Sequence, residues 1–229
     1  MIITVRVKGG PGSGHFGHIG RPGLRGGSLP GKGGGGGSGP VLKVLHMGEE
    51  IEPDRYKTHI VANMLQRHPA KVTSQLNDIV LCATEEDWKR IYRETFNDDD
   101  YESCGGFFVI DTKTMCLPPD YDVHCFDHEL GHMAWYAAMP SDDVLESGTL
   151  PENGVFAWDN AYYDFRFDRH TEYSKWGGVT EAFAESYAAW VQTGGEVANV
   201  SELPEVYEHN MLHISETFSV VQEVIDAIP

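Results

Sequence analysis

The sequence predicts an α+β fold, in which a small β-sheet is followed by a mostly helical half. Between residues 41 and 119, short apolar runs rich in β-branched and aromatic residues alternate with amphipathic stretches. After residue 123, apolar residues recur mainly at the 3.6-residue period of a helix. A length of 229 residues and a hydrophobic content of 41% allow one compact core with some non-globular extension.

The first half is predicted to alternate strands with helices. The stretch EEDWKRIYRETF places Trp88, Tyr92 and Phe96 on one face and begins with acidic residues, as an amphipathic helix does. Upstream, Ile60 and Met64 share a helical face, and a proline follows that segment. The predicted elements are strands at 41–48 and 76–84 and helices at 54–68 and 85–96.

The second half begins with a β-hairpin and continues with helices. Residues 105–119, GGFFVIDTKTMCLPP, predict a hairpin that turns at Asp111–Lys113. A loop-rich, aromatic stretch covers residues 140–170. The last helix is predicted to bury a stripe of Phe218, Val221, Ile225 and Ile228. The predicted helices are 123–138, about 180–193 and 203–227.

Residues 1–40 are predicted to form a flexible segment in front of a folded domain at 41–229. After a strand-like start at residues 2–7, residues 9–40 contain 16 of the 26 glycines. Such a composition buries too little apolar surface to offset its chain entropy. Two phosphate-binding patterns are rejected. No helix follows the G-x-G-x-x-G of Gly12–Gly17, and in Gly26–Gly33 a glycine replaces the magnesium-binding Ser or Thr.

The charge distribution excludes two classes of partner. Residues 1–40 carry five basic residues and no acid, so residues 41–229 carry 12 basic and 35 acidic residues, a net charge of −23. Because residues 41–229 are acidic, they repel phosphate groups, and neither nucleic acid nor an anionic membrane is expected as the main partner. No apolar run of about 18 residues predicts a membrane span, and the N-terminus lacks the pattern of a signal peptide.

The four cysteines are interpreted as reduced residues of the core. Cys82, Cys104, Cys116 and Cys125 form no CxxC pair and have no zinc-finger spacing. The alternative is a link between Cys104 and Cys116 across the hairpin.

The stretch FDHELGHMAW contains the pattern H-E-x-x-H. On a helix, His128 and His132 lie one turn apart on one face, where both imidazoles can bind one Zn²⁺. Glu129 is offset by about 100° and can act as a general base toward a water molecule. His124 extends the histidine stripe but lies about 12 Å along the axis from His132, so it is interpreted as structural.

A catalytic zinc ion needs three protein ligands and an open position, so a third ligand is expected elsewhere. The best candidate is VTEAFAESYAAW, in which Glu181 and Glu185 lie four residues apart on one helical face. Two aligned glutamates in an apolar helix are costly to bury without a purpose. The alternative is a solvated acidic face. The two histidines and a glutamate of this helix together predict one zinc ion per chain.

HELGH followed about 50 residues later by E-x-F-A-E resembles the gluzincin metallopeptidases of the lethal-factor and Pro-Pro-endopeptidase type. The resemblance covers about residues 76–195 and implies a small zincin-like domain that hydrolyses peptide bonds. It implies His128, His132 and Glu181 as ligands, Glu129 as general base and Glu185 as a carboxylate that orients a ligand histidine.

The resemblance also implies an oxyanion-stabilising tyrosine before the glutamate ligand, and Tyr173 is the candidate for it. In such enzymes the strand before the helix pairs with extended substrate, which the hairpin at 105–119 would supply. Two features depart from the pattern. An aromatic insert separates the two motifs, and no arginine stands beside them to hold a substrate terminus.

The front segment GHFGHIGRPGLRGGS resembles a segment of phage-encoded head-morphogenesis and effector-type proteins, where it precedes a C-terminal catalytic domain. This resemblance implies a host-cytoplasmic or virion-associated protein with a virion partner at its N-terminal segment. The leading hypothesis is a tethered zinc metallopeptidase acting on a peptide or protein. The rival hypothesis is a non-catalytic phage structural or interaction module with a residual metal site. A third hypothesis, compatible with the first, makes the front segment the partner-binding part.

Overall fold

The computed structural model describes residues 4–6, 27–28, 39–99, 101, 105–138, 179–196 and 214–229. These residues form one mixed sheet and a set of helices, so the predicted α+β class is confirmed. The chain divides into two compact units, Met1–Glu129 and Leu130–Pro229, and the division falls inside one continuous helix.

All described strands belong to the first unit and to a single sheet. They are β1 (Thr4–Arg6), β2 (Gly27–Ser28), β3 (Val41–His46), β4 (Glu49–Ile51), β5 (Asp78–Cys82), β6 (Phe107–Val109) and β7 (Thr114–Leu117). The described helices are α1 (Arg55–Leu65), α2 (Ala70–Thr73), α3 (Glu85–Phe96), α4 (Val123–Ala138), α5 (Val179–Gln192) and α6 (Ile214–Ala227).

The sheet has a parallel centre and antiparallel edges. Its order is β1-β6-β7-β5-β3-β2, and β4 also pairs with β3. The strands β3, β5 and β7 are parallel to one another, while β6 returns antiparallel to β7 through the predicted hairpin. The hairpin turns through Lys113, whose φ of 51° lies in the left-handed region. The central strand β5 is buried along Ile79–Cys82, as expected of a parallel strand covered on both faces.

The short strand β4 was not predicted, and a carboxylate fixes the turn before it. Met47 and Gly48 have φ of 52° and 87°, as a tight hairpin turn requires. Their amides donate to the carboxylate of Asp87, at 3.0 and 2.7 Å. Burial alone would raise the pKa of Asp87, but hydrogen bonds from Thr84 and these two amides outweigh it and lower the pKa.

Two stretches of residues 1–40 belong to the sheet. The strand-like start is confirmed at Thr4–Arg6, which pairs antiparallel with β6. Gly27–Ser28 pairs with the first residues of β3. The flexibility predicted for the rest of this segment falls on residues outside the described part.

The core of the first unit is aromatic. Trp88, Tyr92 and Phe96 of α3 surround Phe107 of β6, with ring centroids 5.1 to 6.4 Å apart. The helix begins at the Thr84 cap and ends at Asn97, whose φ is 52°. These caps explain why α3 has the predicted bounds.

Three cysteines are reduced, as interpreted from the sequence. Cys82 and Cys116 are buried thiols and Cys125 is a half-buried thiol, so a position in the core is confirmed for the first two. The thiol of Cys116 does not support the alternative link to Cys104, and Cys104 itself lies outside the described residues. Burial, together with the charge of Asp87, raises the pKa of the Cys82 thiol to about 12.

In the second unit, the predicted apolar stripe is buried, with Phe218, Val221 and Ile225 on α6 and Ile228 directly after it. The helix starts at Ile214, and the predicted residues 203–213 before it lie outside the described part. None of the described helices is both long enough and apolar enough to cross a membrane.

Candidate metal centre

The middle of α4 carries four polar side chains that are almost fully buried. Asp127, Glu129 and His132 are 0% exposed and His128 is 1% exposed. The helix begins where the Asp122 carboxylate accepts a hydrogen bond from the amide of Cys125, at 2.7 Å. Burying this many polar groups is costly unless they bind one another or a ligand.

Two further buried carboxylates lie on α5. Glu181 is 5% exposed and Glu185 is 2% exposed, and the apolar residues around them on this helix are also buried. The interpretation of these glutamates as a solvated acidic face is therefore wrong.

His128, His132 and Glu181 form a group that could hold one metal ion. One ligand atom from each lies within 4.8 Å of the other two. The Nε2 atom of His132 is 3.2 Å from a carboxylate oxygen of Glu181. Two ligands at about 2.0–2.1 Å from a tetrahedral zinc ion are about 3.3 Å apart, so this separation suits zinc. A hydrogen-bonded pair has a similar separation, and His128 adds the third ligand atom that a metal ion would need.

A second group shares His128. Ligand atoms of His124, His128 and Glu185 also lie within 4.8 Å of one another. The rings of His124 and His128 are tilted by 57° with centroids 6.1 Å apart. This proximity agrees with the orienting role predicted for Glu185, which stays a prediction. His124 was interpreted as structural because of its distance from His132, and that interpretation stays a prediction beside its place in this second group.

Glu129 is positioned by a glycine of the hairpin. A Cβ atom added to Gly106 would lie 3.0 Å from Oε1 and 3.2 Å from Cγ of Glu129, and 2.8 Å from Sγ of Cys125. The thiol of Cys125 also donates to the carbonyl oxygen of Gly105. The absence of a side chain at residue 106 therefore leaves the space that the Glu129 carboxylate occupies.

The residue before the motif has partners that sequence reasoning missed. Asp127 accepts hydrogen bonds from Arg67 and from Nε2 of His68, both at 3.0 Å. Burial lowers the pKa of His68, so the ring is neutral at pH 7 even though Asp127 opposes the shift. Asp127 adjoins the motif in sequence, but its partners lie about 60 residues away and share no pattern with it.

A close helix contact brings α5 to the second half of α4. A Cβ atom on Gly131 would lie 2.7 Å from Cα of Ala184. One turn farther, the rings of Trp135 and Phe183 are 5.0 Å apart. Gly131 therefore allows a close approach, and the approaching element is the helix that carries Glu181.

The predicted Tyr173 lies outside the described residues. Another tyrosine, Tyr136, follows His132 by one helical turn. Burial, and then the charge of Glu181, raises the pKa of its hydroxyl despite a hydrogen bond with Thr180. Its spacing from His132 was visible in the sequence, but tyrosine is also common at ordinary packing positions of a helix.

The hairpin does not offer substrate an unpaired edge within the described strands. The strand β7 lies between β6 and β5, and β6 lies between β7 and β1. The expectation that substrate could pair directly with this hairpin is corrected, because Thr4–Arg6 already pairs with β6.

Comparison with known proteins adds no family. No protein-family model matches the chain, and no curated protein matches it.

Proposed function

We propose that the chain is a zinc-dependent metallopeptidase. The observation that carries the proposal is the buried group of His128, His132 and Glu181, whose ligand atoms lie within 4.8 Å of one another. Two imidazoles and one carboxylate are a donor set that suits zinc and leaves a fourth position open. Glu129, which would act as the base, is buried next to His128.

A zinc ion bound by these residues would polarise the scissile carbonyl and acidify a water molecule. Glu129 takes one proton from the water molecule as the water oxygen attacks the carbonyl carbon. The carboxyl group then gives this proton to the amide nitrogen as the carbon–nitrogen bond breaks. The products are a carboxylic acid and an amine, which leave as a carboxylate and an ammonium ion once the second proton of the water has moved to the amine, and Glu129 returns to its ionised state.

Two groups are proposed to assist the reaction. Tyr173 would donate a hydrogen bond to the oxygen that gains negative charge during attack. Glu185 would orient the ring of His128, since a ligand histidine needs a partner at its second nitrogen. The net charge of −18 favours a basic peptide or protein as substrate.

A digest of a peptide library by the full chain tests this function. We expect about one zinc ion per chain and cleavage that stops in the Glu129→Gln variant, which removes the base and keeps the shape of the side chain. A Glu86→Gln variant removes an exposed carboxylate of α3 and serves as the matched control.

If the Glu129→Gln variant kept full activity, Glu129 would not be the base. A chain that binds one zinc ion and cleaves no member of the library would be a non-catalytic module with a metal site, and the proposed function would be wrong.

A further inference from the structure

The outer edge of β6 is covered by the beginning of the chain. Thr4, Val5 and Arg6 pair antiparallel with Val109, Phe108 and Phe107. The strand β1 is the outermost strand of the sheet, so among the described strands it pairs only with β6. The contact is therefore one short ladder of backbone hydrogen bonds at the edge of a sheet.

This edge ends beside the glycine that contacts Glu129. Arg6 is opposite Phe107, and Phe107 follows Gly106 in the chain. The Cβ position of Gly106 is 3.0 Å from Oε1 of Glu129. An extended peptide that continues along β6 past Phe107 would therefore lie beside Gly106, the neighbour of the carboxylate that we propose as the base.

The covering strand is short. It has three residues, so its ladder with β6 has three residue pairs. A ladder of this length can be displaced by a peptide that pairs over more residues.

We propose that Thr4–Arg6 is a substrate-like strand that occupies the peptide-docking edge of β6 until an extended peptide displaces it. The partner of this edge is a peptide in extended conformation, recognised mainly through its backbone. The inference rests on the proposed function for its substrate, while the competition itself is a binding property.

The test compares two double variants of the full chain, both made in the Glu129→Gln background so that no cleavage occurs. Thr4→Pro with Val5→Pro removes two adjacent amides, and adjacent residues of a strand point their amides to opposite edges. One lost amide therefore faces β6. Thr4→Ala with Val5→Ala keeps both amides and is the matched control.

The probe is a fluorescein-labelled peptide of residues 1–10, MIITVRVKGG, and its binding is measured by fluorescence anisotropy. If β1 occupies the edge for about 90% of the time, the proline variant binds the peptide about tenfold more tightly than the alanine variant. Hydrogen exchange should also become faster in β6 of the proline variant. Zinc content should match in the two variants, and thermal unfolding checks that both are folded.

Equal affinities in two folded variants, or no binding to either, would overturn the inference. This outcome differs from failure of the proposed function. A folded chain that cleaves the library but shows no difference between the variants keeps its function and loses the displaceable strand. A chain that cleaves nothing but binds the peptide tenfold more tightly in the proline variant keeps the strand and loses the function.

Discussion

At the scale of single residues, the position of Glu129 depends on the lack of a side chain at Gly106. We expect Gly106→Ala to push the Glu129 carboxylate aside, because the new Cβ atom would lie 3.0 Å from its Oε1 atom and 2.8 Å from Sγ of Cys125. Displacing a general base typically costs about 10²-fold or more in rate. The measurement is kcat on a cleaved library peptide, with zinc content determined in parallel.

The neighbouring glycine provides the control for this prediction. A Cβ atom on Gly105 would meet only Sγ of Cys125, at 3.8 Å, which is an ordinary contact. Gly105→Ala should therefore keep its activity. If both variants retained kcat, the contact between Gly106 and Glu129 would have no catalytic importance.

Buried His68 gives the protein a pH-dependent stability. Burial lowers the pKa of His68 below its ordinary value of 6.5, so the unfolded chain binds the proton first. The contribution is complete above pH 6.5 and is lost as the pH falls toward the lower folded pKa. We expect the free energy of unfolding to fall more between pH 7.5 and pH 5 in the parent than in His68→Gln.

Urea unfolding at pH 7.5, 6 and 5 measures this difference. The other histidines are the same in both proteins, so subtracting the free energy of unfolding of the variant from that of the parent cancels their effects. Parallel pH profiles for the two proteins would show that His68 does not titrate in this window.

The two buried glutamates of α5 can be distinguished by their zinc affinity. Glu181→Ala should lower the affinity more than 100-fold because it removes a ligand, whereas Glu185→Ala should lower it about 10–100-fold by releasing a ligand histidine. Competition with a chelator measures both values. The reverse order, together with a large loss in His124→Ala, would place the ion in the group of His124, His128 and Glu185.

At the scale of elements, local signals explain which parts of the fold are predictable. The bounds of α3 agree with the prediction because Thr84 and Asn97 cap its ends, and α4 begins at a comparable cap, Asp122. The strand β4 was missed because Glu49–Ile51 is short and polar. Its turn is fixed by Asp87, which is distant in the sequence.

The contact between α4 and α5 is also an element-scale property, and it limits residue 131 to glycine. Gly131→Ala would place a methyl group 2.7 Å from Cα of Ala184, and backbone atoms cannot rotate away as a side chain can. We expect a loss of about 1–3 kcal/mol in the free energy of unfolding. Zinc affinity should fall as well, because α5 carries Glu181.

Thermal unfolding with and without zinc checks both effects of Gly131→Ala. Gly105→Ala is the control for adding a methyl group, because its Cβ would meet only Sγ of Cys125, at 3.8 Å, and its φ is not positive. A Gly131→Ala chain with normal stability and normal zinc affinity would show that the helices separate at no cost.

At the scale of the whole molecule, the motif residues were predictable and their surroundings were not. The spacing of His128 and His132 is local, and Glu181 was recognised because an acidic residue in an apolar helix needs a reason. The order of the strands depends on pairings between distant segments. The pairing of Thr4–Arg6 with β6 joins residues about 100 positions apart, and no local pattern indicates it.

The ligands on α4 and α5 also make metal binding a property of the whole chain. His128 and His132 lie on one helix and Glu181 on another, so an ion bound by all three stabilises the folded state relative to the unfolded chain. At a free zinc concentration of about 1,000 Kd, the gain is about 4 kcal/mol. Removing zinc with a chelator should therefore lower the Tm, and adding zinc back should restore it. The double variant His128→Ala with His132→Ala should unfold at one temperature under both conditions. An equal response in the parent and in this variant would show that zinc acts at some other site.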